Sequence, residues 1–393
     1  MKSKINSILI FFFFSSLIGA QDNLIVEGIV QDQSETPIAY ASIYIPKKYI
    51  GTTSTEEGQY YLALEKSNLQ DTLVVTSMGF KTFKIKVEDY IKQNLKTIVL
   101  EDDVTELETA DIKNAKEYVI EALKQRKNTF VSDSHQLDFI YRRTEVEQHI
   151  SKFFVEHYMS MVYKGPKSEV SRIEVSESRK SADYRILKKP QWNHAAVYMI
   201  NLNPLNDFYT PLKKMNWKKI GDTSYDGEDV LILEGKKDNV DRIKGTLTTK
   251  LYIGLETNNI YKIESSAGKC VYQYNKNSEG KLHLSYHKRE YGGRSEKISE
   301  LHQKALGLKT PRIHTAFKHE AFVVGIKENK SQFISGDFDK YDKDMAEINL
   351  PYNPVFWKNL SLPPDTAFYK KIKAELESNF GVPLETQFKV VNN

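Results

Sequence analysis

Residues 39–45 read Ala-Tyr-Ala-Ser-Ile-Tyr-Ile, and in them Ala41, Ile43 and Ile45 fall on one side at every second position. A side-chain period of two marks a strand with one buried face. The pattern repeats on both sides of this stretch. Upstream, Leu24, Val26 and Val30 alternate with Ile25, Glu27 and Ile29 before the turn residues of 32–37. Downstream, Gly51-Thr52-Thr53 leads to Glu56-Glu57-Gly58, where Gly58 supplies the positive φ of a tight turn. Tyr60 to Leu64 and Thr72 to Ser77 follow as strands, Gly79-Phe80 turns the chain, and Ile98-Val99-Leu100 ends the unit. Short strands at this spacing, with no helical period between them, predict an antiparallel β-sandwich.

Residues 101–112 are acidic and read as a connector, after which the spacing becomes helical. Ala115, Val119, Ala122 and Leu123 form one stripe within 113–130, a helix expected to lead into a second domain and pack on its sheet. The period then returns to two. Strands are predicted at 137–147, 153–163, 169–176, 217–221, 228–234, 246–253, 259–265, 281–291 and 315–327, with turns at Asp226-Gly227 and 257–259. Pro190, Pro204 and Pro211 interrupt the rhythm over 188–212, which reads as a long crossover. A helix is expected from Asp365 to Phe380, after Pro363-Pro364.

The first twenty residues speak to destination. Lys2 and Lys4 precede the apolar run 8–14, and Ala20 stands before Gln21, which is the anatomy of a secretory signal removed at that junction. A retained anchor is the other reading. The apolar run is short for a membrane span, and no cysteine follows it, so a lipid-anchored lipoprotein is not expected. The chain is thus expected to be exported, periplasmic or associated with the outer membrane, with no transmembrane span in the mature protein.

Composition narrows the partners. A net charge of +4 over 393 residues, with basic and acidic side chains intermixed, leaves no nucleic-acid footprint. The single cysteine, Cys270, makes neither an internal disulfide nor a cysteine zinc site, and it reads as a small strand residue. The 23 Tyr and 19 Phe suit half-buried strands. The lysine pairs 213–214, 218–219 and 236–237 read as solvated faces.

Four blocks of the first domain carry a family likeness: 26–32 (Val-Glu-Gly-Ile-Val-Gln-Asp), 36–43 (Thr-Pro-Ile-Ala-Tyr-Ala-Ser-Ile), 51–60 (Gly-Thr-Thr-Ser-Thr-Glu-Glu-Gly-Gln-Tyr) and 77–82 (Ser-Met-Gly-Phe-Lys-Thr). Together they resemble the carboxypeptidase regulatory-like domain, a transthyretin-like sandwich common at the front of Bacteroidota envelope proteins. Members often carry Asp before the turn glycine. Here Thr55, Glu56 and Glu57 stand there, without the alternating oxygen ligands of a calcium loop. The second domain, through Phe139-Ile140-Tyr141-Arg142-Arg143, 179–181 and 352–359, resembles the uncharacterised domain that follows this sandwich, which brings no activity with it. The strands at 226–233, 251–253 and 260–262 also look like those of half-barrel lipoprotein carriers.

The fold class expected is mainly β: an N-terminal antiparallel sandwich followed by a larger, curved antiparallel sheet in an α+β domain. The divisions are a signal at 1–20, the sandwich at 21–101, connector and helix at 102–130, a half-barrel-like β-domain at 131–345 and a tail with a helix at 346–393.

No catalytic constellation emerges. His287-Lys288-Arg289-Glu290 is the one His-x-x-Glu pair, but on a strand those two side chains face opposite sides and cannot share a zinc ion. His287 and the later His302, His314 and His319 are read as solvent-facing strand residues, and His314 and His319 would point to opposite sides of one strand. Neither His-Glu-x-x-His nor Gly-x-Ser-x-Gly occurs. The expectation is a non-enzymatic binding or assembly module with no cofactor and no metal, taking an envelope protein or a lipid or peptide ligand. An envelope hydrolase with scattered site residues is the alternative.

One site follows from geometry. A wide curved sheet covered only partly by one helix leaves a concave apolar remainder, which is either filled by side chains, as interiors usually are, or left as a groove for lipid or extended peptide. Tyr352, Phe356 and Trp357 are the residues expected to lid that face, together with the 188–212 crossover.

Overall fold

The computed structural model describes residues 24–46, 48, 50–103, 114–165, 170–187, 212–238, 245–336 and 344–392. The signal and its cleavage point, most of the connector and most of the Pro-rich crossover lie outside them.

The sandwich is built from β1 (Leu24–Asp32), β2 (Ser42–Ile45), β3 (Ile50–Thr53), β4 (Gln59–Leu64), β5 (Thr72–Thr76), β6 (Phe83–Lys86) and β7 (Thr97–Leu100), with a short helix α1 (Val87–Lys92) before the last strand. One sheet runs β4-β1-β7 and the other β3-β2-β5-β6. Pairing is antiparallel except between β1 and β7, where α1 carries the chain across and the strands run parallel. The alternation seen in sequence closes the core: Val26, Val30, Ile43, Ile45, Leu62, Leu73 and Val75 are buried together. Gly58 holds φ +74°, and a Cβ there would stand 2.5 Å from the Val30 carbonyl oxygen. Only glycine fits that turn.

Helix α2 (Ala115–Thr129) follows, capped by the Asn114 side chain. The β-domain then runs through β8 (His135–Glu147), β9 (Ile150–Tyr163), β10 (Arg172–Lys180), β11 (Asn216–Tyr225), β12 (Glu228–Asp238), β13 (Thr246–Gly254), β14 (Ile260–Ser265), β15 (Cys270–Lys276), β16 (Leu282–Lys297) and β17 (Arg312–Lys327). A short helix α3 (Glu300–Ala305) tips the β16–β17 hairpin, and the tail forms α4 (Pro354–Asn359), α5 (Ala367–Phe380) and α6 (Leu384–Val391). Pairing is antiparallel throughout, in the order β11-β12-β13-β14-β15-β16-β17-β8-β9-β10. The fold class is therefore the expected one.

Individual strands differ for local reasons. β11 continues past Gly221 because a bulge there absorbs one residue and the ladder with β12 resumes. β10 lies later than predicted and carries a bulge between Val175 and Glu177. The strand at 270–276 is missing from the predicted set, although Cys270 reads as a strand residue and the alternating tyrosines carry the signal.

The second sandwich sheet and the β-domain sheet are continuous, while β4-β1-β7 stays apart. β16 leaves β17 above the pair Tyr286–Phe322, and Gly325 of β17 there pairs with Ile50 of β3. The sandwich strands β3-β2-β5-β6 thereby join the β-domain strands in one fourteen-stranded sheet.

Candidate functional site

β8 and β9 have two buried faces. On the face toward α2, Leu137, Phe139, Tyr141, Val155, Met159 and Met161 join Val119, Ala122 and Leu123 of the helix in the main core. Farther along the sheet Leu231, Leu233, Leu251 and Ile253, which the register sets on one face, are 0% exposed. That face is filled by side chains, as ordinary core is.

The opposite face carries a row of alternating charge. Cross-strand register places Arg179 of β10 beside Glu156 of β9, Glu156 beside Arg142 of β8, Arg142 beside Glu320 of β17, and Glu320 beside Lys288 of β16. The next row over is apolar: Tyr158, Ile140, Phe322 and Tyr286. Opposite charges set directly across strands stabilise a sheet by roughly 0.2–1 kcal/mol per pair. Here the pairs are also out of water, with Arg142 1%, Glu156 0% and Glu320 3% exposed.

Glu156 accepts from Arg142 Nε at 2.6 Å through one oxygen and from Arg179 Nε at 2.6 Å through the other. Burial alone would raise its carboxyl, but Arg142, Arg179 and Lys373 outweigh burial and hold it far below the usual carboxylate range. Tyr286 donates to Glu320 at 2.6 Å, and the Tyr369 hydroxyl of α5 donates to its other oxygen. The Arg142 guanidinium lies over the Tyr369 ring, 4.3 Å from its centre, and 3.6 Å from Asp365.

Two covers seal this row. The tail is one: Phe154 packs with Tyr369, Ile372, Leu376 and Phe388, and Lys373 pairs with Asp365 at 2.6 Å. The sandwich is the other. Tyr40 stacks on Tyr286 at 4.6 Å, and Glu56 reaches Lys288 and Lys318, each at 3.2 Å. Burial works against the Glu56 carboxylate, but the Tyr40 hydroxyl, Lys318 and Lys288 lower its pKa to about 2. Farther along the seam Ser42 donates to Asn275 at 2.9 Å, and Gly79 N to the Ser224 carbonyl at 2.8 Å. Where β16 parts from β17 a cleft of about 40 Å³ remains, lined by Thr52, Asn275, His283, Ser285 and Val324. It has room for a few water molecules and none for a lipid chain.

The aromatic tail residues stand on this second face, not over the face that α2 covers. Phe356 meets Tyr158 edge-on at 5.3 Å, the Arg179 guanidinium lies 4.5 Å from the Trp357 ring centre, and Tyr352 packs near Phe388 at 5.5 Å. The expected lid over the concave face is thus corrected. The tail follows the charged row because α5 and α6 bring Tyr369, Lys373 and Phe388 to it.

The histidine reading is corrected as well. His287 and His319 are each 1% exposed. His287 stacks on Tyr272 at 4.3 Å, and His319 Nδ1 lies 2.8 Å from the Tyr141 hydroxyl. His314, on the other face of the same strand and nearer its tip, is exposed. Sequence reasoning passed over His157. It is buried, donates from Nε2 to the Met345 carbonyl at 2.9 Å, and burial lowers its pKa to about 3. Burial raises Cys270 to about 11, which leaves it a neutral thiol. Among the described residues no three His, Cys, Asp or Glu side chains converge as a metal site.

On the α2 face Arg143 pairs with Asp344 at 2.8 Å, and Arg185 with Glu145 at 2.9 Å. Lys180 donates to the Ala346 carbonyl at 2.7 Å. These contacts hold residues 344–348 against the sheet.

Residues 26–110 match the family model described as the CarboxypepD_reg-like domain. No curated protein matches the chain. Among solved structures it is similar to a Vibrio parahaemolyticus domain described as outer membrane lipoprotein-sorting, at 10% identity, covering 58% of this chain and 98% of that one, with a TM-score of 0.29. A LolA superfamily protein from Nitrosomonas europaea gives 14% identity, 56% and 95% coverage and a TM-score of 0.22. A DUF1329 family protein from Desulfovibrio piger gives 11%, 59%, 98% and 0.22 in the same order. Likenesses at that level carry no weight for function.

Proposed function

We propose that this chain is a non-enzymatic exported envelope protein, a docking or assembly module in which sandwich and β-domain act as one rigid unit. Export is supported by the charged and then apolar first twenty residues, and the Bacteroidota envelope setting by the four sandwich blocks. The carrying observation is the seam. Glu56 and Tyr40 of the sandwich close onto Lys288, Lys318 and Tyr286, while Arg142, Glu156, Arg179 and Glu320 neutralise one another beneath the tail.

Among the described residues Arg142, Glu156, Glu320, His157, His287 and His319 are buried and engaged by partners, which favours a scaffold over a reaction site at this seam. The filled α2 face and the small cleft favour a protein partner over an enclosed lipid. The test is to purify the full chain from its envelope and assay it against peptide, ester and glycoside panels. The expected result is a stoichiometric envelope partner and no turnover. Turnover abolished by a single side-chain substitution would establish the hydrolase instead.

A further inference from the structure

The β16–β17 hairpin outgrows its sheet. Pairing of β15 with β16 stops at Val271–Lys288, and pairing of β8 with β17 stops at Glu147–Thr315. Past those points β16 and β17 pair with each other as far as Lys297–Arg312, with Gln148 of the β8–β9 turn bonded to His314 at the base of the ribbon. A two-stranded ribbon in water is marginal by itself. This one lies at the end of β16 away from the sandwich and is crowned by α3, capped by Ser299.

The crown is apolar where it faces water. Leu301 is 76% exposed and Leu306 40%, while Ile298 and Ile313 are buried and Ile298 N donates to the Pro311 carbonyl at 3.0 Å, closing the ribbon under the crown. Lys297, Lys304, Lys309 and Arg312 are exposed around the two leucines, with Glu300 the exposed carboxylate among them. Ile150, 41% exposed, stands at the neighbouring β8–β9 turn, where Gln148 N donates to the His314 carbonyl at 2.9 Å.

We propose that this tip is a membrane-contact element for an anionic lipid surface. Leu301 and Leu306 enter the boundary between headgroups and acyl chains, while the lysines and Arg312 meet lipid phosphates. Projecting leucines ringed by cations are the combination that binds such an interface, apolar burial and charge attraction adding. The charge sign selects anionic lipid, and the projection lets the tip reach a flat surface that the rest of the sheet does not touch. This goes beyond the docking role and does not rest on it.

The test is sedimentation of the full chain with vesicles of phosphatidylglycerol and phosphatidylcholine in equal parts, and with phosphatidylcholine alone. Binding is expected to the anionic vesicles, to weaken with added salt, and to fall about tenfold or more in Leu301→Asp, since a charge replaces the leucine that enters the lipid. Val390→Asp, at a residue 70% exposed on α6, should bind as the parent does. Leu301→Trp should show a blue shift of its added fluorescence with the same vesicles. No sedimentation of the parent, equal binding by Leu301→Asp, or an unshifted Leu301→Trp spectrum would each overturn the proposal. The first of these would leave the tip to a protein partner.

Discussion

β8 and β9 show two solutions to burial on the two faces of one ribbon. Toward α2, beyond the Arg143–Asp344 pair and His157 at one end, Leu137, Phe139, Val155 and Met161 form a core in which packing is non-directional and any well-fitting apolar side chain serves. Toward the sandwich and tail, Arg142, Glu156 and Glu320 are equally buried, but each is held by named partners. The first face gives stability. Replacing a buried ion pair by apolar side chains is often neutral or stabilising, so the second is better suited to fixing which elements dock and in what register.

The sharpest way to break that comparison is Glu156→Ala. It leaves Arg142 and Arg179 buried with their shared acceptor gone, and the expected cost is about 3–5 kcal/mol in urea unfolding. Replacing the trio together (Arg142→Met, Glu156→Leu, Arg179→Met) should recover most of that loss while loosening the tail, read as faster proteolysis near α5. A single-variant loss below about 1 kcal/mol would show that the row is dispensable. On the other face Leu251→Ala should cost about 3 kcal/mol, the transfer and cavity terms of an ordinary core leucine.

Much of this was legible beforehand. Alternation at 137–147 and 153–163 identified both strands, and the 113–130 stripe identified α2, because a period in one sequence survives whatever it packs against. The charged row did not show. Arg142, Glu156 and Glu320 occupy the polar phase of their strands, and polar phases ordinarily face water. Their juxtaposition depends on register, which bulges such as those after Val175 and Tyr291 reset. The same ignorance of what lies behind a strand misassigned His287 and His319 to the surface. It also sent Tyr352, Phe356 and Trp357 to the wrong side of the sheet.

Acid should separate the two faces. His157, on the α2 face, has its pKa lowered by burial from 6.5 to about 3. The unfolded chain therefore takes up a proton first as pH falls, so the stability contributed by neutral His157 is complete above about pH 6.5 and is lost between there and about pH 3. Glu56, at the seam, is lowered from 4.5 to about 2, so its contribution is complete above about pH 4.5 and is lost toward pH 2. His157→Asn should flatten the stability profile in the upper window and Glu56→Gln in the lower one, each read from urea midpoints at stepped pH. Identical flattening by both variants would mean that the faces are not independent.

The smallest effect sharpens the seam itself. Tyr40 stacks its ring on Tyr286 and donates its hydroxyl to Glu56, and Lys288 Nζ reaches the same hydroxyl at 3.4 Å. Tyr40→Phe keeps the ring and removes the donor, and a lost hydrogen bond of this kind costs about 0.5–1.5 kcal/mol. The lower end is expected, because the Glu56 side chain is 38% exposed and water can replace the phenol. The Tyr40 hydroxyl is the foremost influence lowering the Glu56 pKa, with Lys318 and Lys288 behind it. The Glu56 titration, followed by carboxyl-carbon NMR, should therefore move up toward the ordinary range without reaching it. A large stability loss would mean that the hydroxyl anchors the sandwich by itself. An unmoved Glu56 would mean that the two lysines alone set its charge, and that the seam is an ion pair with a tyrosine beside it.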